Sequence, residues 1–177
     1  MIYLLFKKQW VEHEPEYLSH EQEAVRLEPT LLGAKKSNIK NQRFRIQDGK
    51  PVLSIGDIMS RELLHVTHNT PLKVCGSIMK NESVHHLAVF NDGHFCGLIS
   101  DRDILFARNN DSSAKANADS VATTVVMAIH ESAPAGITAK VLLQEGINAL
   151  PVLDDDLNIC GIVTTRDFLR VLSGLIH

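Results

Sequence analysis

Aromatic residues are scarce in this chain, 5% of 177 residues with a single Trp. Without ring platforms there is little on which unpaired bases could stack, which argues against a single-strand nucleic-acid binder. Cysteines number three, Cys75, Cys96 and Cys160, an odd count with no metal-like spacing. Cys96 and Cys160 sit on apolar strand patterns, so buried reduced thiols are expected, as in a cytosolic compartment. Charge excess is lacking too. A net charge of −3 at pH 7 gives no global push toward nucleic acid or an anionic membrane. No hydrophobic run approaches membrane length. Met1 to Phe6 is apolar but far too short to span a bilayer. Lys7 and Lys8 follow it, whereas a signal peptide carries its charges first. There is no glycine-rich phosphate loop of the Walker type, and spacing alone yields no Ser-His-Asp set. These absences lead us to expect a soluble, cytoplasmic, non-catalytic protein.

The nine His residues do not form a metal pattern. His85 and His86 are adjacent and would face opposite sides of a strand. His65 and His68 have no carboxylate or Cys at ligand spacing. No metal site is expected.

What the chain does contain is a statement made twice. Gly97-Leu98-Ile99-Ser100-Asp101-Arg102-Asp103-Ile104-Leu105 recurs as Gly161-Ile162-Val163-Thr164-Thr165-Arg166-Asp167-Phe168-Leu169, 64 positions later. Further upstream the offset is 63. There Leu87-Ala88-Val89 matches Leu150-Pro151-Val152, Thr70-Pro71 matches Ala133-Pro134, Ile58 falls on Val121, and Glu82 on Glu145. One residue is therefore inserted in the second copy, in the polar turn Asp154 to Asn158. An indel confined to a turn, with its flanks in register, is the mark of a duplicated fold.

The elements follow from local pattern. In the first copy, Leu64 to Thr67 reads as a strand. Thr70-Pro71 reads as a helix start, with Thr as N-cap and Pro in the first turn. Leu72, Cys75, Ile78 and Met79 continue at helical spacing. Leu87 to Phe90 and Phe95 to Ile99 are strands about the turn Asn91-Asp92-Gly93, and Asp101 to Ala107 is a helix. The second copy predicts strands at Ala128 to His130, Leu150 to Leu153 and Ile159 to Val163. Its helices are predicted at Pro134 to Glu145 and from the last strand to Leu172. Each half is β-α-β-β-α, an α/β (α+β) class. Each sheet face is too large for one 50-residue unit to cover, so the halves are expected to pack sheet to sheet as a pseudo-twofold pair, with clefts where they meet.

Residues 1–51 have no counterpart in the repeat and read as an N-terminal extension, partly ordered. Glu12 to Glu28 is acid-rich and Lys35 to Lys50 basic. Phe44-Arg45-Ile46, Asp48-Gly49 and Pro51-Val52-Leu53 read as a short hairpin. The expected organisation is an extension over 1–51, a first repeat over 52–109, a linker over 110–120 and a second repeat over 121–177.

The chemistry falls at the strand-to-helix junctions. Ser100 and Asp103, and again Thr164 and Asp167, put a hydroxyl and a carboxylate three residues apart. An ionised Asp can accept both hydroxyl protons of a ribose diol. The helix start offers N–H donors and partial positive charge, which suit a phosphate. Arg102 and Arg166 stand near enough to add charge. Gly97 and Gly161 allow a close backbone approach or an unusual dihedral. The same spacing is also a capping box, which needs no ligand.

With its paired Gly-apolar-apolar-Ser/Thr-x-x-Asp segments and its Leu-Pro-Val strand, the chain resembles the CBS-domain pair, or Bateman module, over residues 52 to 174. The resemblance implies a regulatory module that binds adenosine-containing ligands: AMP, ADP, ATP or S-adenosylmethionine. It assigns Ser100, Asp103, Thr164 and Asp167 to ribose and phosphate. It places His86 and Ala149 beside the base pocket, where the two copies differ. It also implies a homodimer and an effector partner. Two other readings stay open: a dimerisation scaffold with vestigial clefts, and a nucleic-acid-binding regulator using the basic arm.

Overall fold

Two sheets organise the chain, and each is built from a parallel crossover followed by an antiparallel hairpin. The computed structural model describes residues 1–6, 8–19, 45–47, 50–109 and 116–174. The strands are β1 (Ile2–Phe6), β2 (Gln9–His13), β3 (Arg45–Gln47), β4 (Lys50–Val52), β5 (His65–Thr67), β6 (His86–Asn91), β7 (His94–Ser100), β8 (Met127–His130), β9 (Ala149–Leu153) and β10 (Ile159–Thr164). The helices are α1 (Glu16–Ser19), α2 (Leu72–Asn81), α3 (Asp101–Asn109), α4 (Ala135–Gln144) and α5 (Thr165–Leu172). The order β5-α2-β6-β7-α3 recurs as β8-α4-β9-β10-α5, the expected β-α-β-β-α repeat. In each copy the first two strands pair in parallel and the last two antiparallel.

The helix starts differ from expectation by one residue. Pro71 and Pro134 are extended N-caps, at φ −60°, ψ 139° and φ −62°, ψ 134°. The Pro71 carbonyl already accepts the Cys75 N–H at 3.1 Å. Thr70 is therefore not the cap, and its hydroxyl bonds the Thr67 hydroxyl at 3.0 Å. Glu82 and Glu145, matched by the repeat, are the two C-caps.

The chain divides into two units, described separately. One unit comprises Met1–Tyr3, Glu12–Glu62 and Met127–His177, the other Leu4–Val11 and Leu63–Val126. The first is centred on Ile55, Ile129, Val141, Leu150, Val152 and Val163, all fully buried. Its strands belong to a sheet of order β10-β9-β8-β1-β2. The second unit is centred on Cys75, Leu87, Val89, Ile99 and Ala118, equally buried, on the sheet β5-β6-β7.

The units do not follow the repeats. Ser54 to Ser60 leads into the first repeat, yet it joins the unit of the second. Its Ile55 N–H donates to Ala133 O, and Leu53 O accepts the Ala135 N–H. Asn117 to Thr123 leads into the second repeat, yet it joins the unit of the first. There Ala118 N–H donates to Thr70 O, and Ala116 O accepts the Leu72 N–H. Ala118, read as linker, is thus a core residue.

Each lead-in then crosses a glycine. A Cβ on Gly161 would lie 2.5 Å from Ser60 O, and one on Gly97 would collide with Thr123 O. Neither glycine has a positive φ. Of the two roles open to them, the structure assigns close backbone approach. Both follow a bulge, with Cys96 and Cys160 as the extra residues against β6 and β9. A bulge breaks strand alternation. Cys96 and Cys160 are accordingly half-buried rather than buried, and the fully buried free thiol is Cys75.

Described residues of the N-terminal extension make specific contacts. Ile2 and Tyr3 are buried, and Met1 O accepts the His130 N–H at 3.1 Å. Trp10 stacks on Phe95 with centroids 5.6 Å apart, within the unit of the first repeat. Tyr17 of α1 donates to Glu145 Oε1 at 2.7 Å. That contact and burial raise the phenol well above its ordinary value. The expected hairpin is present as β3 and β4, paired from Arg45–Val52 to Gln47–Lys50. Its turn, Asp48-Gly49, lies outside the described residues. So do most of the basic arm, much of the acidic run and linker positions 110–115.

Candidate functional site

Both junctions form where an apolar strand runs into an amphipathic helix. In the first, the Ser100 N–H and Oγ–H both donate to Asp103 Oδ2, at 2.7 and 2.6 Å, and Asp103 N–H returns to Ser100 Oγ at 3.2 Å. In the second, the Thr164 N–H and Oγ1–H donate to Asp167 Oδ2, both at 2.7 Å. These are capping boxes. Each holds its carboxylate in one orientation and leaves the opposite oxygen, Oδ1, pointing elsewhere.

Sheet register assembles the remaining expected residues. His86 pairs with Ser100 across β6 and β7, and Ala149 pairs with Thr164 across β9 and β10. Directly opposed residues put their side chains on one face. His86 and Ala149 thus stand beside the hydroxyl–carboxylate pair of their own unit. Arg102 and Arg166 follow on the first helical turn and are exposed.

Several of the helix-start donors are engaged within the protein. Asp101 N–H donates to His85 O and Thr165 N–H to Asn148 O, both at 3.0 Å. With the box bonds above, little is left at either start to hold a phosphate.

The two junctions differ in charge. At the first, His85 Nδ1–H donates to Asp101 Oδ2 at 2.7 Å. Burial works against the Asp101 anion, but the His85 bond and charge hold its carboxyl below the usual value. Burial lowers the His86 imidazole below its ordinary value, opposed by Asp101. His86 is therefore neutral at pH 7. The second junction has Thr165 in place of Asp101, and Arg170 Nη1 bonds Asp167 Oδ1 at 3.3 Å.

Sequence reasoning missed three features. Arg170 is one, although its i,i+3 spacing from Asp167 was visible. A third box is another: the Ser54 N–H and Oγ–H donate to Asp57 Oδ2 at 2.8 and 2.7 Å, with the same spacing as the other two. The last is a buried His130. Its Nδ1 accepts the Ser132 N–H at 3.1 Å and lies 2.7 Å from Ser132 Oγ, and Asp155 Oδ1 is 3.3 Å from its Nε2. That trio has the residue types of a hydrolase triad. Its Asp is 95% exposed, however, and its His already accepts a backbone N–H. It locks the β8–α4 turn to the β9–β10 turn. Among the described residues no cluster of three His, Cys, Asp or Glu could hold a metal. Among them, too, no helix is long and apolar enough to cross a membrane.

Comparison with known proteins agrees with this fold. The CBS domain model matches residues 55–110 and 118–174. A CBS domain-containing protein of Dictyostelium discoideum is 28% identical over 135 residues, covering 70% of this chain and 93% of that protein. The L-aspartate semialdehyde sulfurtransferase of Methanocaldococcus jannaschii is 26% identical over 125 residues. That match covers 70% of this chain but only 24% of the sulfurtransferase, so this chain spans about a quarter of its length. Among solved structures, the CBS domain pair of protein MJ0100, in complex with 5′-methylthioadenosine and S-adenosyl-L-methionine, superposes with a TM-score of 0.65 at 25% identity. It covers 71% of this chain and 99% of that one.

Proposed function

The chain belongs to the CBS-domain family, and on that premise we propose that it is a regulatory, non-catalytic module that binds an adenosine-containing ligand. The observation that carries this reading is the repeated junction carboxylate. One oxygen is pinned by a Ser or Thr, and at Asp103 the other has no partner among the described residues and would accept a ribose diol. His86 would lie against the base in the first junction, and Ala149 would leave room for it in the second. The MJ0100 complex, a structure of the same fold, contains two adenosyl compounds. S-adenosylmethionine, AMP, ADP and ATP are the candidate ligands. The anionic pair Asp101 and Asp103, and the scarcity of free helix-start donors, favour an adenosyl sulfonium or thioether over a polyphosphate. Output passes to a second copy of the chain in a homodimer, or to an effector protein. Either requires differential affinity for two states, typically a coupling of about 1–3 kcal/mol.

The test is a thermal-shift panel of AMP, ADP, ATP, S-adenosylmethionine and NAD. A ligand present at 100 times its dissociation constant adds about 2.7 kcal/mol of stability. A shift with one adenosyl compound supports the module. Silence across the panel refutes it. Silence would favour a ligand-free dimerisation scaffold, to which the internally satisfied boxes are equally suited.

A further inference from the structure

We infer that the two junctions are unequal: Asp103 is the ligand-accepting carboxylate, and Arg170 is a built-in occupant that closes Asp167. This inference rests on the adenosyl-binding reading and names which junction performs it.

The two boxes spend the same oxygen, Oδ2, on the same two donors. The difference lies in Oδ1. At Asp167 it accepts Arg170 Nη1 at 3.3 Å, and the side chain is only 5% exposed. At Asp103 it has no partner among the described residues, and the residue is half-buried. A diol needs an accessible acceptor. Asp103 presents one, whereas Asp167 would first have to give up a guanidinium already in place.

The repeat shows where the difference arose. Arg170 lies 64 positions after Phe106, the same offset that relates the two Gly and the two Asp. Phe106 is 65% exposed and cannot bond a carboxylate. One position on the third residue after the Asp thus decides whether the carboxylate is open or filled. His86, against Ala149 in the second copy, adds a neutral ring to the open junction, which suits a purine.

Two measurements test this. The first needs no ligand. Carbodiimide coupling of an amine, mapped by peptide mass spectrometry, reads carboxylate accessibility in the wild-type protein. Asp103 should label at least several-fold faster than Asp167, and Arg170→Gln should narrow the gap. Equal rates in the wild type overturn the inference whether or not any ligand binds. The second is calorimetric titration with S-adenosylmethionine and AMP as probes. Expected are one site per chain in the wild type, none in Asp103→Asn and two in Arg170→Gln. Phe106→Arg, which places the closing cation in the first copy at an exposed position, should weaken binding at least tenfold. Two sites in the wild type, or binding lost in Asp167→Asn but kept in Asp103→Asn, overturns it. Unequal labelling with no binding of either probe upholds the inequality of the carboxylates and refutes the adenosyl reading alone.

Discussion

Replacing Gly161 by Ala adds one methyl group where the Ser60 carbonyl would be only 2.5 Å away and Met59 Sδ 3.1 Å. The nearest atom is backbone, so it cannot swing aside as a side chain would. It is also tied down, because Ser60 N–H donates to Ile162 O and Ile162 N–H to Ser60 O, both at 2.9 Å. Relieving the clash pushes the lead-in off β10 and breaks both bonds. Each bond is worth about 1 kcal/mol net. Residual overpacking of a filled interior costs roughly 1–3 kcal/mol. The expected loss is about 3–5 kcal/mol, a large share of the roughly 5–15 kcal/mol that holds a domain together. At a urea dependence of about 2 kcal/mol per molar, the unfolding midpoint should fall by about 1.5–2.5 M. Gly76→Ala is the control. Gly76 lies inside α2, and its nearest neighbour to an added Cβ is an Ile104 methyl at 3.8 Å. The same substitution there should stabilise by about 0.5–1 kcal/mol through helix propensity. If Gly161→Ala unfolds within 0.5 kcal/mol of the wild type, a magnitude ordinary for a neutral surface change, the close-approach account fails.

Other outcomes follow from the same structure. His86 is held below its ordinary value of 6.5 by burial, so the unfolded chain binds a proton that the native one refuses. Its contribution to stability is full above pH 6.5 and is lost as pH falls below it, toward the native value. Thermal melts from pH 7.5 to 5 should show a decline that is shallower in His86→Asn; identical slopes would contradict the assignment. Thr164→Ala removes the hydroxyl of the second box and should cost about 1 kcal/mol in chemical denaturation. Trp10 is the only Trp in the chain and stacks on Phe95. Phe95→Leu should shift its emission to the red and remove about 0.5–1.5 kcal/mol of aromatic pairing. An unchanged spectrum would mean that β2 does not dock there.

Much of this protein was legible because its signals are local. Alternation and 3.6-residue spacing placed the strands and helices of both repeats to within about two residues. The repeat itself located the two junctions, and Ser-x-x-Asp or Thr-x-x-Asp named the side chains that meet there. Cross-strand register pairs His86 with Ser100 and Ala149 with Thr164, a placement that no local pattern reports. The first two strands were not legible. Ile2 to Phe6 forms a strand through a neighbour, β8, that lies more than a hundred residues away in sequence. The exchange of lead-in segments was equally hidden, because the partner of Ser60 is Ile162 and no local pattern reports a pairing at that distance. Nor could spacing tell whether Gly97 and Gly161 serve a close backbone approach or an unusual dihedral; only the position of Ser60 O and Thr123 O decides it. The sequence by itself determined the two junctions and the residue types in them. Tertiary structure decided which carboxylate oxygen is spent and which is open. Three-residue spacing makes a capping box in any helix start, but where the second oxygen points, and whether a cation such as Arg170 meets it, depends on side-chain geometry in the folded chain.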